Sequence, residues 1–350
     1  MFLFSKTSSL LGIDIGTSYI KAVQIKKTDD KPLLESYGIV NVLYPTESQI
    51  QFDAVKQTAE ILTQLYSKAG FTTKRAVVSV PSNVAFVSVL NLPPMPEKEM
   101  EKSIEYQAKK YIPLPISDVN LGWQVLEETE FKSPQQKEVI PKVKVLLTAV
   151  PRNVINNYLR VMETAGLEVA ALEIESLSQI RSLIDPAEKD GILIIDIGAK
   201  STILSFVSSG YLFSTRHLTI GGDTITTSIA ASMGISFERA DQMKKTAFGP
   251  DTLSPATKIA RNIVELIKSE IQQFIRMTEN QSRELSKIVL TGGGSKMPGL
   301  EEEFAGLVPK IEHGNPLSKI TFEPKLENKL SILGPQLAVS IGLAMRRDLK

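Results

Sequence analysis

Apolar and polar positions along the chain change period several times, and the changes mark its elements. Leu10 to Ile25 is apolar apart from Asp14 and the break at Gly16-Thr17-Ser18, which predicts a strand, a tight turn and a second strand. From Phe52 to Ala69 the apolar residues Val55, Ala59, Leu62, Leu65 and Tyr66 recur at helical spacing, and Gly70 ends the pattern. Ala76 to Val80 predicts a short buried strand stopped by Pro81. Ala85 to Leu90 alternates like a strand, Pro93-Pro94-Met95-Pro96 is a stiff connector, and Glu97 to Tyr111 predicts a charged helix ended by Pro113 and Pro115. Asn120–Thr129 and Lys142–Val150 predict paired strands around a polar loop, and Asn153–Ala165 a helix stopped by Gly166.

A second set begins at Gly191. Ile192 to Gly198 repeats the apolar-apolar-Asp-Ile-Gly pattern of residues 11–16, and Thr202–Val207 and Tyr211–Leu218 add two strands around Ser208-Ser209-Gly210. This repetition predicts two related halves. Helices follow at 224–233, 236–247 and 255–280, the last with Ile259, Ile263, Leu266, Ile267, Ile271 and Phe274 on one stripe. Strand 287–290 leads into Thr291-Gly292-Gly293-Gly294, and a closing helix at 336–346 carries the small residues Ala338, Ser340, Gly342 and Ala344.

Composition narrows the classes. The chain has 350 residues, enough for two domains, and an apolar fraction of 42% supports sizeable cores. A net charge of +1 argues against a nucleic-acid surface. The absence of cysteine removes disulfides, thiolate metal sites and a thiol nucleophile, and fits a reducing cytoplasm. His217 and His313 are the only imidazoles, too few and too far apart in sequence to suggest a histidine metal cluster. The apolar start Met1-Phe2-Leu3-Phe4 is too short for a signal peptide, and no run approaches the ~20 apolar residues of a membrane span. The expectation is a soluble cytoplasmic protein that meets a membrane only through a partner.

Three turns carry candidate chemistry. In Asp14-Ile15-Gly16-Thr17-Ser18, glycine lets the backbone approach a ligand, and successive amides with the Thr17 and Ser18 hydroxyls form an anion cradle. Lys21 on the next strand adds a positive charge for phosphate, and Asp14 suits hydrated Mg²⁺. Such a turn also ends ordinary strands. The second copy, Asp196-Ile197-Gly198-Ala199-Lys200-Ser201, supplies a second carboxylate and loop, and two loops together clamp a triphosphate with its cation. Gly292-Gly293-Gly294-Ser295-Lys296-Met297 follows a strand, where glycines permit flat contact with a base and sugar.

In this order the turns resemble the phosphate-one, phosphate-two and adenosine motifs of the actin, heat-shock chaperone and sugar kinase superfamily. Ile174-Glu175-Ser176-Leu177-Ser178-Gln179-Ile180 and Pro335 to Arg346 match its two connecting helices. The resemblance implies an α/β actin-like ATPase fold of two RNase H-like halves, with ATP and Mg²⁺ between them. It implies metal binding through Asp14 and Asp196, and nucleotide contacts from both loops, Gly222, Gly292, Gly293, Gly294, Ser295 and Met297. Glu175 falls where relatives orient the attacking water, although an acid there also suits a helix N-terminus. Asp241 and Lys244, three apart on one helix, match the segment that touches ribose and base, or form a solvated ion pair. Many relatives have a more glycine-rich second loop. Ala199 and Lys200 crowd the backbone here, so slow ATP turnover at most is expected.

The implied division is a first core of residues 1–84, 166–187 and 335–350, an inserted subdomain of 85–165, a second core of 188–222 and 286–334, and a helical nucleotide-base subdomain of 223–285. The early insertion is shared with FtsA. Val80-Pro81-Ser82, Leu92-Pro93-Pro94-Met95-Pro96-Glu97, Tyr106 to Pro113 and Ala149-Val150-Pro151-Arg152, with the opening Met1-Phe2, resemble the PilM family of type IV pilus assembly proteins. That resemblance implies a cytoplasmic ATP-binding scaffold. It holds the N-terminal peptide of a PilN-like inner-membrane protein in a groove walled by parts of residues 82–92 and 153–166. Self-association and a pilus ATPase are further partners open to it. The competing readings are an FtsA-like filament-forming or cell-division ATPase and a small-molecule kinase.

Overall fold

The computed structural model describes residues 9–42, 52–132, 139–247, 254–279 and 285–347. The opening Met1-Phe2, the middle of the polar loop before Pro141, Asn280 and the last three residues lie outside them. The first half contains β1 (Ser9–Ile15), β2 (Tyr19–Lys26), β3 (Leu33–Asn41), α1 (Phe52–Ala69) and β4 (Arg75–Val80). Next come β5 (Phe86–Leu92), α2 (Glu97–Tyr111), β6 (Val119–Lys132), β7 (Val139–Pro151), α3 (Arg152–Thr164), β8 (Glu168–Ile174) and α4 (Glu175–Leu183). The second half runs through β9 (Gly191–Ile197), β10 (Thr202–Ser208), β11 (Tyr211–Leu218), α5 (Gly222–Met233), α6 (Phe237–Lys244) and α7 (Pro255–Glu279). It ends with β12 (Leu285–Thr291), α8 (Leu300–Glu303), β13 (Lys310–His313), α9 (Glu327–Leu333) and α10 (Ala338–Ala344).

The duplication foreseen from two Asp-Ile-Gly turns extends to whole sheets. One sheet has the order β3-β2-β1-β4-β8 and the other β11-β10-β9-β12-β13. In each, three antiparallel strands are continued by two parallel ones, with β1 and β9 in equivalent central places. Strand periodicity explains how each sheet is covered on both faces. On β9, Leu193, Ile195 and Ile197 point into a core with α5, α6 and α7, whereas Ile192 and Ile194 pack with Ile180 of α4 and Ile184 just after it.

α10 closes the other sheet. Its small residues admit the backbone of two neighbours. A Cβ on Gly342 would lie 1.9 Å from the Ser178 carbonyl oxygen of α4, and one on Gly12 of β1 would lie 1.9 Å from that of Ser340. The two connecting helices therefore pack on each other as well as on the sheets.

The insertion forms a third, antiparallel sheet of order β5-β7-β6. One face packs on Met100, Ile104 and Ala108 of α2. The sequence reading placed α3 with this insertion. Its buried residues Tyr158, Val161 and Met162 instead join Val55, Ala59 and Leu62 of α1 in the first-half core. β3, β8 and β13, unmarked by the sequence reading, lie at edges of the two large sheets.

Candidate functional site

The hairpin β1–β2 and its counterpart β9–β10 close in the same way. The Gly16 amide donates to the Tyr19 carbonyl at 3.0 Å, and the Gly198 amide donates to that of Ser201 at 2.8 Å. Neither glycine has positive φ. Space is what each provides, because a Cβ on either would lie 3.0 Å from that same carbonyl oxygen. The glycine amides are thus spent inside the turns. Thr17, Ser18, Ala199 and Lys200 form the apices beyond the strand pairing.

The strand ends carry the carboxylates. Asp14 is 4% exposed; its Oδ2 is 2.7 Å from Lys21 Nζ and its Oδ1 accepts from Ser79 Oγ at 2.9 Å. Asp196 accepts through Oδ2 from Gln179 Nε2 of α4. Glu175, the first residue of α4, accepts from the Ser82 amide at 2.7 Å. A chain of buried hydroxyls lies alongside: Ser82 Oγ and Ser176 Oγ are 2.9 Å apart, and Ser205 Oγ of β10 donates to Ser176 Oγ at 2.9 Å. It ties the start of the insertion, α4 and the second sheet together.

Charge in this cluster is unbalanced, with three carboxylates around one ammonium. Burial, followed by the Asp14 charge, pushes the Glu175 carboxyl up to about 8, although the Ser82 amide and Lys21 oppose the shift. Burial also raises Asp196, against the pull of Lys21. Burial works to lower Lys21, but Asp14, with smaller contributions from Asp196 and Glu175, holds it above the ordinary lysine value. Lys21 therefore feels carboxylates from both halves.

The third turn packs directly on the second hairpin. Gly292 has φ +83°, and a Cβ there would lie 2.1 Å from Asp196 Oδ1 and 2.6 Å from the Ile197 carbonyl oxygen. A Cβ on Gly294 would lie 2.4 Å from Ile197 Cγ2. These glycines are needed for protein packing, and Gly293 is the exposed one. Ser295 and Met297 are turned inward: the Ser295 hydroxyl donates to the Gly292 carbonyl at 2.8 Å, and Met297 joins the second core.

The second loop is braced by α5. Gly222 donates its amide to the Gly198 carbonyl at 3.0 Å, and a Cβ on Gly221 would lie 2.5 Å from the Ala199 carbonyl oxygen. Lys244 is buried, pairs with Asp241 at 2.7 Å and donates to the Gly222 carbonyl and Thr226 Oγ1 at 3.2 and 2.8 Å. It pins α6 to the start of α5. Lys200 is exposed and Ser201 half-buried.

Ser79, Gln179, Ser82, Ser176, Ser205 and Gly221 were missed from the sequence. The available signal was polar residues inside otherwise apolar elements, as at Ser79 in Arg75–Val80. Among the described residues no group of three His, Cys, Asp or Glu side chains is placed to enclose a metal. Asp14 already has both oxygens engaged. The donor set therefore fits a cation that keeps its waters and is met by one or two carboxylates, the habit of Mg²⁺.

A concavity of about 830 Å³ lies between the insertion, the first core and the β10–β11 turn. Its floor is the open face of the small sheet, with Asn120, Gly122 and Gln124 of β6 and Leu146, Thr148 and Val150 of β7. Opposite lie Ile155 and Leu159 of α3, Leu172 of β8 and Leu177, Ile180 and Arg181 of α4. Of residues 153–166, Ile155 and Leu159 line it; residues 82–92 do not, because strand order puts β5 on the far edge, against β11. Arg181 is held by Glu173 at 2.7 Å, and Glu173 also pairs with Arg346 at 2.9 Å.

Among the described residues no helix is long and apolar enough to cross a membrane. Comparison with known proteins agrees with this architecture. The PilM–PilN type IV pilus biogenesis complex has a chain that superposes with a TM-score of 0.82 at 24% identity, covering 97% of this chain and 98% of that one. MreB5 of Spiroplasma citri, in its ADP-bound structure, gives 0.50 at 14% identity over 96% of this chain and 95% of its own. The cell division protein FtsA of Bacillus subtilis (strain 168) is 24% identical over 83% of this chain and 74% of FtsA. The fold is the actin-like ATPase fold. The family model for type IV pilus assembly protein PilM matches residues 12–348, and the chain belongs to that family.

Proposed function

We propose that this protein is a cytoplasmic ATP-binding scaffold of type IV pilus assembly, which docks the N-terminal peptide of a PilN-like inner-membrane protein. The observation that carries the nucleotide part is the pair of equivalent strand ends, Asp14 and Asp196, acting electrostatically on the same Lys21 ammonium. Phosphates fill the space between the two hairpins, where the Thr17, Ser18, Ala199, Lys200 and Ser201 backbone and Lys21 meet them. Hydrated Mg²⁺ relieves the excess of negative charge between Asp14 and Asp196. Gly293 borders the nucleoside, while Gly222, Asp241, Lys244, Gly292, Gly294, Ser295 and Met297 shape the surrounding wall.

Glu175 is the residue placed to orient water. In the nucleotide-free chain burial, followed by the Asp14 charge, raises its carboxyl to about 8, and a cation beside Asp14 works against that rise. The peptide occupies the 830 Å³ groove, whose sheet face and apolar helix wall suit an extended segment. Membrane recruitment follows from that partner. The four-part division of the chain serves this reading with α3 counted in the first core.

α4 borders both sites. Glu175 and Gln179 face the carboxylate cluster, and Leu177, Ile180 and Arg181 line the groove. Nucleotide and peptide occupancy are thereby linked through one short helix. Titration with a fluorescent ATP analogue tests the nucleotide site. Asp14→Ala and Asp196→Ala are each expected to weaken Mg-ATP binding at least about tenfold; wild-type affinity in both variants defeats the assignment. Similarity to FtsA favours one competing reading, a filament-forming ATPase, which ATP-dependent polymers on lipid surfaces would support.

A further inference from the structure

Ten large apolar side chains are exposed among the described residues, and three of them, Tyr106, Tyr111 and Leu114, fall within nine consecutive positions. No other nine-residue stretch of the described residues holds more than one. Helix geometry shows which way they face. Met100, Ile104 and Ala108 of α2 are buried against the small sheet, so Lys102, Tyr106 and Lys109 stand on the opposite side. Tyr106 is 64% exposed, and Lys110 Nζ sits 5.5 Å from the centre of its ring. Tyr111, 55% exposed, ends the helix. Beyond it Pro113 and Pro115 flank Leu114, and their fixed φ angles leave this tip little freedom to fold its leucine away.

The patch therefore combines two phenol rings and a leucine with the ammonium groups of Lys102, Lys109 and Lys110. The acids of α2 gather towards its start, and between Lys102 and Leu114 Glu105 is the only one. An apolar patch of this density marks an interaction site. The lysines decide its partner. Lysine is depleted from protein–protein interfaces, whereas anionic lipid headgroups attract it. Tyrosine, with an apolar ring and a polar hydroxyl, belongs at the depth of those headgroups. We propose that the end of α2 and the Pro113–Pro115 tip touch an anionic lipid surface directly. This contact goes beyond recruitment through a partner. α2 covers one face of the small sheet and the groove lies on the other, so peptide and lipid do not compete. A contact of this size is weak and reversible, and a second one is needed to hold a protein at a membrane.

The test is co-sedimentation of the full chain, without any peptide, with vesicles of phosphatidylglycerol and phosphatidylcholine and with vesicles of phosphatidylcholine alone. Wild type is expected to partition onto the anionic vesicles at least about tenfold more strongly, less so as salt is raised. Lys109→Glu with Lys110→Glu, and separately Tyr106→Ser with Tyr111→Ser and Leu114→Ser, are each expected to lower that partitioning about tenfold. Every substituted side chain is exposed, so melting temperatures near wild type are expected alongside. Leu266→Ser, at an exposed leucine of α7, is expected to bind vesicles as wild type does. Equal partitioning of wild type onto both kinds of vesicle overturns the proposal, and so does anionic binding that neither patch variant weakens. A patch that serves a protein partner instead predicts no vesicle binding by wild type, and that result overturns the proposal as well.

Discussion

Glu175 shows most directly what this cluster costs the protein before a ligand arrives. It keeps a partly exposed edge, yet it shares a crowded environment with Asp14 and Asp196. Its carboxyl rises from 4.5 to about 8 on folding, so the folded chain holds a proton that the unfolded chain releases. The contribution to stability is complete below about pH 4.5 and is lost as the pH rises toward 8. Asp196, also raised, acts in the same direction. Thermal melts of the nucleotide-free protein in EDTA are therefore expected to fall between pH 5 and pH 8.5, and Glu175→Gln is expected to flatten that fall. A variant that melts in parallel with wild type at every pH contradicts this account of Glu175. Asp14 and Asp196 were legible in the sequence because they belong to a repeated pattern, and Lys21 because it is a lone charge on the apolar strand after the first turn. Gln179 and Ser79 were not, since their importance comes from contacts across 17 and 65 positions that no local pattern encodes.

Among the elements, α10 is the most constrained by packing. Its backbone lies close enough to α4 and β1 that Gly342 and Gly12 leave no room for a methyl group. Gly342→Ala and Gly12→Ala are each expected to destabilise the fold by about 1–3 kcal/mol, the usual cost of overpacking, with a lowered melting temperature as the readout. Gly210→Ala, at a left-handed hairpin position with nothing within 4 Å, would strain only a local turn and serves as the comparison. Wild-type melting for both packing variants would show that the helix moves freely. The run of small residues in 336–346 made this close packing legible. α1, α7 and the β9–β10 hairpin were also readable from their periodicity, although Leu266, read as part of the α7 stripe, is exposed. β3 and β13 were not: at sheet edges they carry mixed burial patterns, with Leu33–Asn41 alternating weakly. The place of α3 was hidden for a different reason. Its apolar face is plain in sequence, but which sheet receives that face is a tertiary fact.

For the whole molecule, the decisive arrangement is that one duplicated frame supports a carboxylate cluster and a groove that share one helix. The repeated strand order and the intervening α4 and α10 put the carboxylate cluster between the halves. The insertion, standing off the first core, creates the groove. Sequence revealed the frame and the existence of the insertion. It did not reveal that β5 lies away from the 830 Å³ concavity, because the order β5-β7-β6 differs from chain order. The central claim joins the two proposed sites: a PilN-like peptide in the groove, nucleotide at the carboxylate cluster, and a free-energy link through α4. By linkage, any effect of Mg-ATP on peptide affinity must be matched by an equal effect of peptide on nucleotide affinity.

The most direct measurement is a calorimetric titration of the full chain with the cytoplasmic N-terminal peptide of the PilN-like protein encoded in the same genome, with and without Mg-ATP. The account predicts saturable binding with an affinity that differs between the two conditions. No binding in either condition would contradict it.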